Sequence, residues 1–529
     1  MVSHLNMGIQ DRIKRRSFGM IAIGIFISQL RCTPTETNIE PDPKPNVIVI
    51  FTDDHNFNQT GCYGGNVSTP NMDKLAAEGV RFTRYYPCTS LCSPSRYSVL
   101  TGRYPSRCLS FQQESSPNEP VFIRWNSDIL KGETTIAHLM KEQGYATGFT
   151  GKWHNWDWST KDVVLRHVAD RDDPENPVVN SVIEKNYQVI REQVKKTSGF
   201  DFVEAVYGTN FNWLPITEKL MNHNQHWITY HSLKFIEQNK DKPFFLYLAT
   251  TLPHAPGPLQ SLRGDPRATP AGYQTEHLNC QPSYESILKR AGEAGITDER
   301  ELSEWAAMCW LDDGVGAITQ KLDELGLREN TLIILASDND TPGKMTCNNG
   351  PIPMIVNWKN YMKGGQVCDE LVSNVDVVPT VLDAAGIEKS DVKIDGISFL
   401  PLLQGANDDW RKSLYLEVTY TRGVVTKNYK YIATRFPGEI QEQLNGTNLK
   451  DFTQEGVRIQ PGSPVRYNSA KKYPGYFDAE QLYDLHSDSL EQHNLAKNPD
   501  YEKPLEEMKQ ELKSYCEDMP FAFGEFKSN

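Results

Sequence analysis

Residues 46–54 read Asn-Val-Ile-Val-Ile-Phe-Thr-Asp-Asp, and this stretch decides the fold class. The segment 46–51 is short, apolar and rich in β-branched residues, which is typical of a parallel strand covered on both faces. Two carboxylates, Asp53 and Asp54, follow it directly. The stretch therefore predicts a buried strand that presents acidic side chains at its carboxyl end.

Strand-like runs and helical patterns alternate outward from this strand. Further strands are predicted at 145–150, 243–249 and 331–336, and helices at 70–78, 135–143 and 298–312. The third helix begins at a capping box, in which Glu301 follows Asp298 by three positions. This alternation predicts an α/β fold with a large mixed, mostly parallel sheet flanked by helices.

The pattern changes from about residue 410. Short strands are predicted at 414–420, 423–426 and 429–433, at hairpin spacing, and a helix at 501–515. We therefore predict a main α/β domain over 46–409 and a smaller C-terminal α+β subdomain with an antiparallel sheet over 410–529.

The N-terminus has the pattern of an export signal. A basic region from Arg12 to Arg16 precedes an apolar run at 18–27, which is too short to span a bilayer. Cys32 stands where a lipoprotein signal places its lipidated cysteine, although Arg31 is unusual before such a cysteine, so lipidation is left open. We predict a signal peptide over 1–32, a Pro-rich linker over 33–45, and an exported protein that is periplasmic, secreted or a lipoprotein of the outer surface.

Composition narrows the possible partners. The formal net charge of −13 argues against a nucleic-acid partner, because phosphate binding needs a basic face. An anionic small substrate stays possible, since a few lysines and arginines can dominate a cleft. The 10 cysteines of an exported chain permit disulfides, but their pairing does not follow from the sequence, and several could simply be small buried residues.

Polar clusters follow four of the predicted strands. The carboxyl ends of parallel strands meet at one edge of a sheet, so we expect these clusters to converge. They are Asp53 with Asp54, Lys152 with His154, His254, and Asp338 with Asn339. The oxygen ligands among them, Asp53, Asp54, Asp338 and Asn339, favour calcium or magnesium over zinc, and calcium is the better match to a flexible oxygen shell.

Residues 90–102 read Ser-Leu-Cys-Ser-Pro-Ser-Arg-Tyr-Ser-Val-Leu-Thr-Gly. This resembles the signature of the type I, formylglycine-dependent sulfatases of the alkaline-phosphatase-like superfamily: Cys-x-Pro-Ser-Arg followed by Thr-Gly. The resemblance continues in the blocks at 151–154 (GKWH), 252–256 (LPHAP), 337–339 (SDN), 481–485 (QLYDL) and 494–496 (NLA), and it covers about residues 45–515. It implies that a formylglycine maturation enzyme oxidises Cys92.

The resemblance also implies roles for individual residues. One calcium ion would be bound by Asp53, Asp54, Cys92, Asp338 and Asn339, and the catalytic set would be Cys92, Arg96, Lys152, His154, His254 and Lys344. His254 would protonate the leaving oxygen and His154 would accept a proton from formylglycine, although the sequence alone permits the reverse assignment. The chain departs from the pattern twice: Asp340 replaces a glycine, and Lys344 follows Asn339 by only five positions.

These features predict hydrolysis of sulfate monoesters, with a sulfated carbohydrate as the substrate. Trp153, Trp156 and Trp158 crowd one segment and Trp213 lies in another loop, and indole faces suit sugar rings. The alternatives are a phosphate or phosphonate ester hydrolase of the same superfamily and a non-catalytic glycan-binding surface protein.

Overall fold

The structure is a computed structural model that describes residues 44–115, 121–156, 165–255, 257–275, 278–340, 344–388, 392–406, 410–436, 442 and 472–524. The predicted signal peptide, Cys32 and all of the linker before Lys44 lie outside the described residues, as does Trp158. Among the described residues, no helix has both the length and the apolar character that crossing a bilayer requires.

Strands and helices alternate along the described chain as the sequence predicts. The strands are β1 (Asn46–Asp53), β2 (Val80–Phe82), β3 (Tyr85–Tyr86), β4 (Ala146–Lys152), β5 (Phe202–Tyr207), β6 (Phe244–Pro253), β7 (Ala268–Thr269), β8 (Gly272–Tyr273), β9 (Thr331–Ser337), β10 (Met354–Asn357), β11 (Gln366–Cys368), β12 (Val372–Ser373), β13 (Leu414–Val418), β14 (Thr421–Val425), β15 (Tyr429–Thr434) and β16 (Glu480–Asp484). The helices are α1 (Pro70–Ala77), α2 (Cys92–Thr101), α3 (Leu109–Glu114), α4 (Ile136–Glu142), α5 (Pro177–Ser198), α6 (Gln225–Gln238), α7 (Pro258–Arg263), α8 (Tyr284–Glu293), α9 (Glu299–Glu324), α10 (Val377–Ala384) and α11 (Glu502–Glu517).

Strand β1 lies inside an eight-stranded sheet with the order β11-β2-β10-β9-β1-β6-β4-β5. The neighbours from β9 to β5 pair in parallel, and β10 pairs antiparallel to both β9 and β2. All residues of β1 are buried, because the sheet is covered on both faces. The predicted mixed, mostly parallel sheet is confirmed.

Helix α9 is longer than the sequence suggested. The prediction ended it near Asp312, whereas the helix continues to Glu324. Asp312 does not end the helix because its carboxylate accepts hydrogen bonds from the backbone N–H groups of Asn71 (3.1 Å) and Met72 (2.8 Å), at the start of α1. An acidic side chain in mid-helix thus satisfies free donors of a neighbouring helix.

The C-terminal strands form the predicted antiparallel sheet, in the order β13-β14-β15-β16. Helix α11 packs on this sheet through Leu505, Met508 and Leu512, which join Val424 and Tyr431 in a separate apolar cluster. The smaller C-terminal α+β part is therefore confirmed, while the boundary at 409/410 stays a prediction.

The nine cysteines that the structure describes are all free thiols. Cys88, Cys92, Cys108, Cys309 and Cys347 are buried, and the other four are partly buried. Within this part of the chain the eight cysteines other than Cys92 thus act as small apolar residues rather than as cross-links.

Candidate active site

The carboxyl ends of β1 and β9 bring four predicted ligands together. Thr52 pairs with Ser337 across the two parallel strands, so the residues that follow each strand are adjacent. Asp54, in the left-handed region at φ 63°, donates its backbone N–H to Asp338 Oδ1 at 3.0 Å. Asp53, Asp54, Asp338 and Asn339 are all buried. The structure thus brings these four residues together at one edge of the sheet, as predicted.

Cys92 is the first residue of α2, at the centre of these groups. Its Sγ lies 3.3 Å from Asn339 Nδ2, 3.8 Å from Lys344 Nζ and 4.0 Å from Asp54 Oδ1. Every residue of α2 is buried, and the helix ends at Gly102, whose φ of 68° suits a glycine. The buried helix fixes Cys92 in place and directs its positive N-terminal end toward the site.

Two buried cations, Arg96 and Lys152, contact the carboxylates of this site. Arg96 lies 2.9 Å from Asp338 Oδ2 and 3.5 Å from Asp53 Oδ1 through its Nη2 atom. Lys152 Nζ donates to Asp53 Oδ2 at 2.6 Å. Gly151 permits this placement of Lys152, because a Cβ there would lie 1.8 Å from the carbonyl oxygen of Ala249.

Lys344 reaches the site in spite of its short spacing from Asn339. Its Nζ donates to Asp54 Oδ2 at 2.7 Å, and the side chain is buried. The other departure, Asp340, is buried as well, and burial raises its pKa to about 6. Gly343, which directly precedes Lys344, lies outside the described residues.

The two histidines differ in exposure. The His254 side chain is 17% exposed, and its Nε2 lies 3.7 Å from Asp54 Oδ2. His154 is buried in the left-handed region (φ 57°), and neither ring nitrogen has a hydrogen-bond partner within the described chain. The pair thus consists of one histidine that solvent reaches and one that it does not.

Burial and the clustered charges shift the pKa values of these groups. Burial and the neighbouring Asp53 raise the pKa of Asp338, while the Arg96 guanidinium opposes this rise. Burial alone would raise the pKa of Asp53, but Lys152, His254 and Arg96 hold it well below the usual value. Burial lowers the pKa of His254 to about 4 and that of His154 well below its usual value. Burial also raises the pKa of the Cys92 thiol.

The acidic cluster has the chemistry of a divalent-cation site. One ligand atom each from Asp53, Asp54, Cys92 and His254 lies within 4.8 Å of the others. Asp53 Oδ1 and Asn339 Oδ1 are buried acceptors without a hydrogen-bond partner among the described residues. Unsatisfied buried oxygens are costly, and a hard cation would satisfy them. The residues present therefore fit a divalent cation that is bound mainly through oxygen atoms.

Sequence reasoning missed the residues that hold the Lys344 segment. Asn348 Nδ2 donates to Glu491 Oε2 at 2.7 Å, and Lys430 Nζ donates to the carbonyl oxygen of Asn349 at 2.8 Å. Lys430 also forms a buried ion pair with Glu491. We call these contacts the Lys430–Glu491 clamp. No local signal marks it, because its members come from three distant segments.

The tryptophans occupy different environments. Trp153 is fully buried and packs edge-on against Phe149, with ring centroids 5.3 Å apart, so it offers no surface to a ligand. Trp156 is partly buried, whereas Trp213 is 47% exposed and lies beside His154. Of the tryptophans considered as sugar contacts, Trp213 is the exposed one within the described chain.

Family models match most of the chain. The sulfatase family model matches residues 45–387, and the model of the C-terminal region of N-sulphoglucosamine sulphohydrolase matches residues 345–449. The first match covers more than half of the chain and includes every residue of the site described above.

Individual sulfatases and a solved structure are also similar to this chain. The chain is 28% identical over 489 residues to an ulvan-active sulfatase of Formosa agariphila, covering 89% of this chain and 80% of that protein. It is 24% identical over 539 residues to an N-acetylglucosamine-6-O-sulfatase of Bacteroides thetaiotaomicron, covering 89% and 86%. Its fold is similar to a solved structure in complex with D-glucosamine-2-N,6-O-disulfate, at a TM-score of 0.54 and 20% identity over 90% of this chain and 99% of that one.

Proposed function

The chain belongs to the sulfatase family and is a sulfuric ester hydrolase, and we propose that it removes sulfate from sulfated carbohydrates with a formylglycine formed from Cys92 and a bound calcium ion. The observation that carries the proposal is the position of Cys92. Its Sγ lies within 4.0 Å of a lysine, an amide and a carboxylate at the sheet edge where Asp53 and Asp338 also converge.

The formylglycine proposal rests on this sequence and this position together. The motif around Cys92 is intact, and the side chain is 1% exposed. We therefore expect a maturation enzyme to modify Cys92 before the chain has folded around it. A buried, unmodified thiol with a raised pKa would be a weak nucleophile.

The proposed calcium ion would be held by Asp53, Asp54, Asp338 and Asn339, together with the modified side chain of residue 92. When present, the hydrated aldehyde supplies a hydroxyl nucleophile and calcium supplies positive charge for the sulfate oxygens. The remaining tasks, which are binding the anion and moving protons, belong to side chains of this chain.

Buried cations make the site attractive to an anionic ester. Lys152 Nζ donates to Asp53, Lys344 Nζ donates to Asp54, and Arg96 contacts Asp338. In a pocket with little water, such charges stabilise a sulfate group and the negative charge that develops on the leaving oxygen.

The exposure of the histidines supports the proton assignment. The leaving alcohol must depart toward solvent, and His254 is the histidine on the open side. Burial lowers the pKa of His254 to about 4, but a bound sulfate ester would raise it because the negative charge favours the imidazolium. His154 is enclosed, and its ring nitrogens have no hydrogen-bond partner among the residues that the structure describes, which suits acceptance of a proton from the group at residue 92.

The descriptions of similar proteins support a carbohydrate substrate. Two of the similar proteins are described as an ulvan-active sulfatase and an N-acetylglucosamine-6-O-sulfatase, and a similar fold was solved with a disulfated glucosamine as its substrate.

We also propose export of the protein, on the basis of the basic and apolar N-terminal pattern at 12–27.

The test is sulfate release by protein produced together with a maturation enzyme. The panel contains ulvan oligosaccharides, N-acetylglucosamine 6-sulfate and disulfated glucosamine, with 4-nitrophenyl phosphate and a phosphonate ester run in parallel. We expect sulfate from at least one sugar, no release by Cys92→Ala, and at most weak phosphorus-ester cleavage. Efficient phosphonate cleavage without sulfate release would assign the site to the rival chemistry, and inactivity on every ester would leave only a binding role.

A further inference from the structure

Trp213 is an exposed indole next to a buried catalytic residue. It is 47% exposed, and no other Phe, Tyr or Trp side chain in the described part of the chain is exposed to that degree. Its ring centroid lies 6.4 Å from that of His154, with the two planes at 72°. His154 is buried, so Trp213 is the solvent-exposed ring of this pair.

Backbone hydrogen bonds hold the turn that carries Trp213. Trp213 ends a short 3₁₀ turn, Phe211–Trp213, and donates its N–H to the carbonyl oxygen of Asn210 at 2.9 Å. The turn is joined to the catalytic segment, because His154 donates its N–H to the carbonyl oxygen of Gly208 at 3.0 Å. Main-chain hydrogen bonds thus fix the backbone positions from which the indole and the imidazole project.

A second anchor connects the same turn to the strand that leads to His254. Phe211 is buried and packs edge-on against His223, with ring centroids 4.7 Å apart. His223 Nδ1 lies 2.8 Å from Thr251 Oγ1, in β6. The Trp213 turn is therefore fixed to both segments that supply proton-transferring histidines.

From this geometry we propose that Trp213 is the platform for the apolar face of the pyranose ring that carries the sulfate. The inference rests on the proposed sulfatase function and adds the contact that selects a sugar over other sulfate esters. The C–H face of a pyranose covers an indole well, and a pre-positioned indole loses little conformational entropy when a ring stacks on it. Trp153 cannot take this role because it is buried under the sheet.

The experiment compares Trp213→Ala and Trp213→Phe with wild type on two esters. One is the best sulfated sugar of the panel above; the other is propyl sulfate, which has no ring. We expect Trp213→Ala to lower the ratio of kcat/KM for the sugar to kcat/KM for propyl sulfate about tenfold, which corresponds to about 1.4 kcal/mol. The loss should appear mainly as a higher KM for the sugar, and Trp213→Phe should restore much of it.

A matched control is Val178→Ala, which truncates an exposed apolar side chain (74% exposed) at the start of α5 and should leave the ratio at the wild-type value. An unchanged ratio in Trp213→Ala would overturn the platform, including the case in which both esters lose kcat equally because His154 has shifted. If wild type cleaves propyl sulfate and none of the sugars, the carbohydrate proposal itself fails. If wild type cleaves a sugar and the ratio stays constant, only the platform fails.

Discussion

The Lys430–Glu491 clamp permits a quantitative prediction. Both side chains are almost fully buried, at 0% and 4% exposure, and each contacts the segment that carries Lys344. Removing one partner of a buried ion pair leaves the other charge without compensation, which costs about 3–5 kcal/mol. We expect Lys430→Met to lower the free energy of unfolding by that amount, a large share of the roughly 5–15 kcal/mol typical of a folded domain.

The assay is equilibrium urea unfolding, followed by tryptophan fluorescence and far-UV circular dichroism. The double variant Lys430→Met/Glu491→Gln should regain part of the loss, because it leaves no buried charge unpaired. The control is Lys503→Met, which removes the lysine of an exposed pair on α11 (87% exposed) and should not shift the urea midpoint. A stability of Lys430→Met within about 1 kcal/mol of wild type, or a double variant weaker than the single one, would refute this reasoning.

The same variant should also affect turnover at temperatures where it is fully folded. Asn348 and Asn349 are the clamp's contacts with the segment after Lys344, and Met345 in that segment has a φ of 66°. Loosening the anchors should let the Lys344 ammonium move away from Asp54, so we expect a lower kcat on 4-nitrophenyl sulfate for Lys430→Met than for Lys503→Met. Equal kcat values in the two variants would restrict the clamp to stability.

Three further predictions concern the site. Protein made with a maturation enzyme should carry an aldehyde at residue 92 in peptide mass spectra over residues 85–103, and fully active protein with only a thiol there would contradict the formylglycine proposal. Chelation should abolish activity, and calcium should restore it better than zinc because the ligands are oxygens; stoichiometric zinc in active protein would argue the reverse. His254→Ala should reduce kcat on sugar sulfates far more than on 4-nitrophenyl sulfate, whose leaving group needs no proton; equal losses would assign His254 to binding.

The site could be predicted from the sequence where its residues follow strand ends. Parallel strands bring their carboxyl ends together, so the runs at 46–51 and 331–336 were enough to place Asp53 beside Asp338. Helix starts could also be predicted from local residues: the helix predicted at 70–78 is α1, which begins at Pro70. These signals act over a few residues or through a general property of sheets.

Predictions failed where a side chain's direction or a distant contact decided the outcome. Trp153 lies next to Lys152 in the sequence and was considered as a sugar contact, but its backbone N–H donates to the carbonyl oxygen of Tyr207, the last residue of β5. Neighbouring residues of an extended chain point to opposite faces, so Lys152 enters the site and Trp153 the core. Asp312 lies within α9, and its carboxylate accepts hydrogen bonds from backbone N–H groups at the start of α1. No sequence pattern within α9 predicts this contact.

Charge balance explains how one sheet edge tolerates so many buried ions. Three carboxylates and three cations meet there: Asp53, Asp54 and Asp338 against Arg96, Lys152 and Lys344. Each lysine pairs with one carboxylate of the acidic cluster, which offsets the cost of burying both charges. A cation on those carboxylates would compete with the lysines for them and leave the ammonium groups available to an anion beside residue 92. The lysines would then bind sulfate only when the acidic cluster is neutralised, so metal and substrate should each raise the affinity for the other. This coupling requires that Lys344 can reach both Asp54 and a sulfate group beside residue 92. The Lys430–Glu491 clamp would hold the Lys344 segment in place for this from the C-terminal sheet.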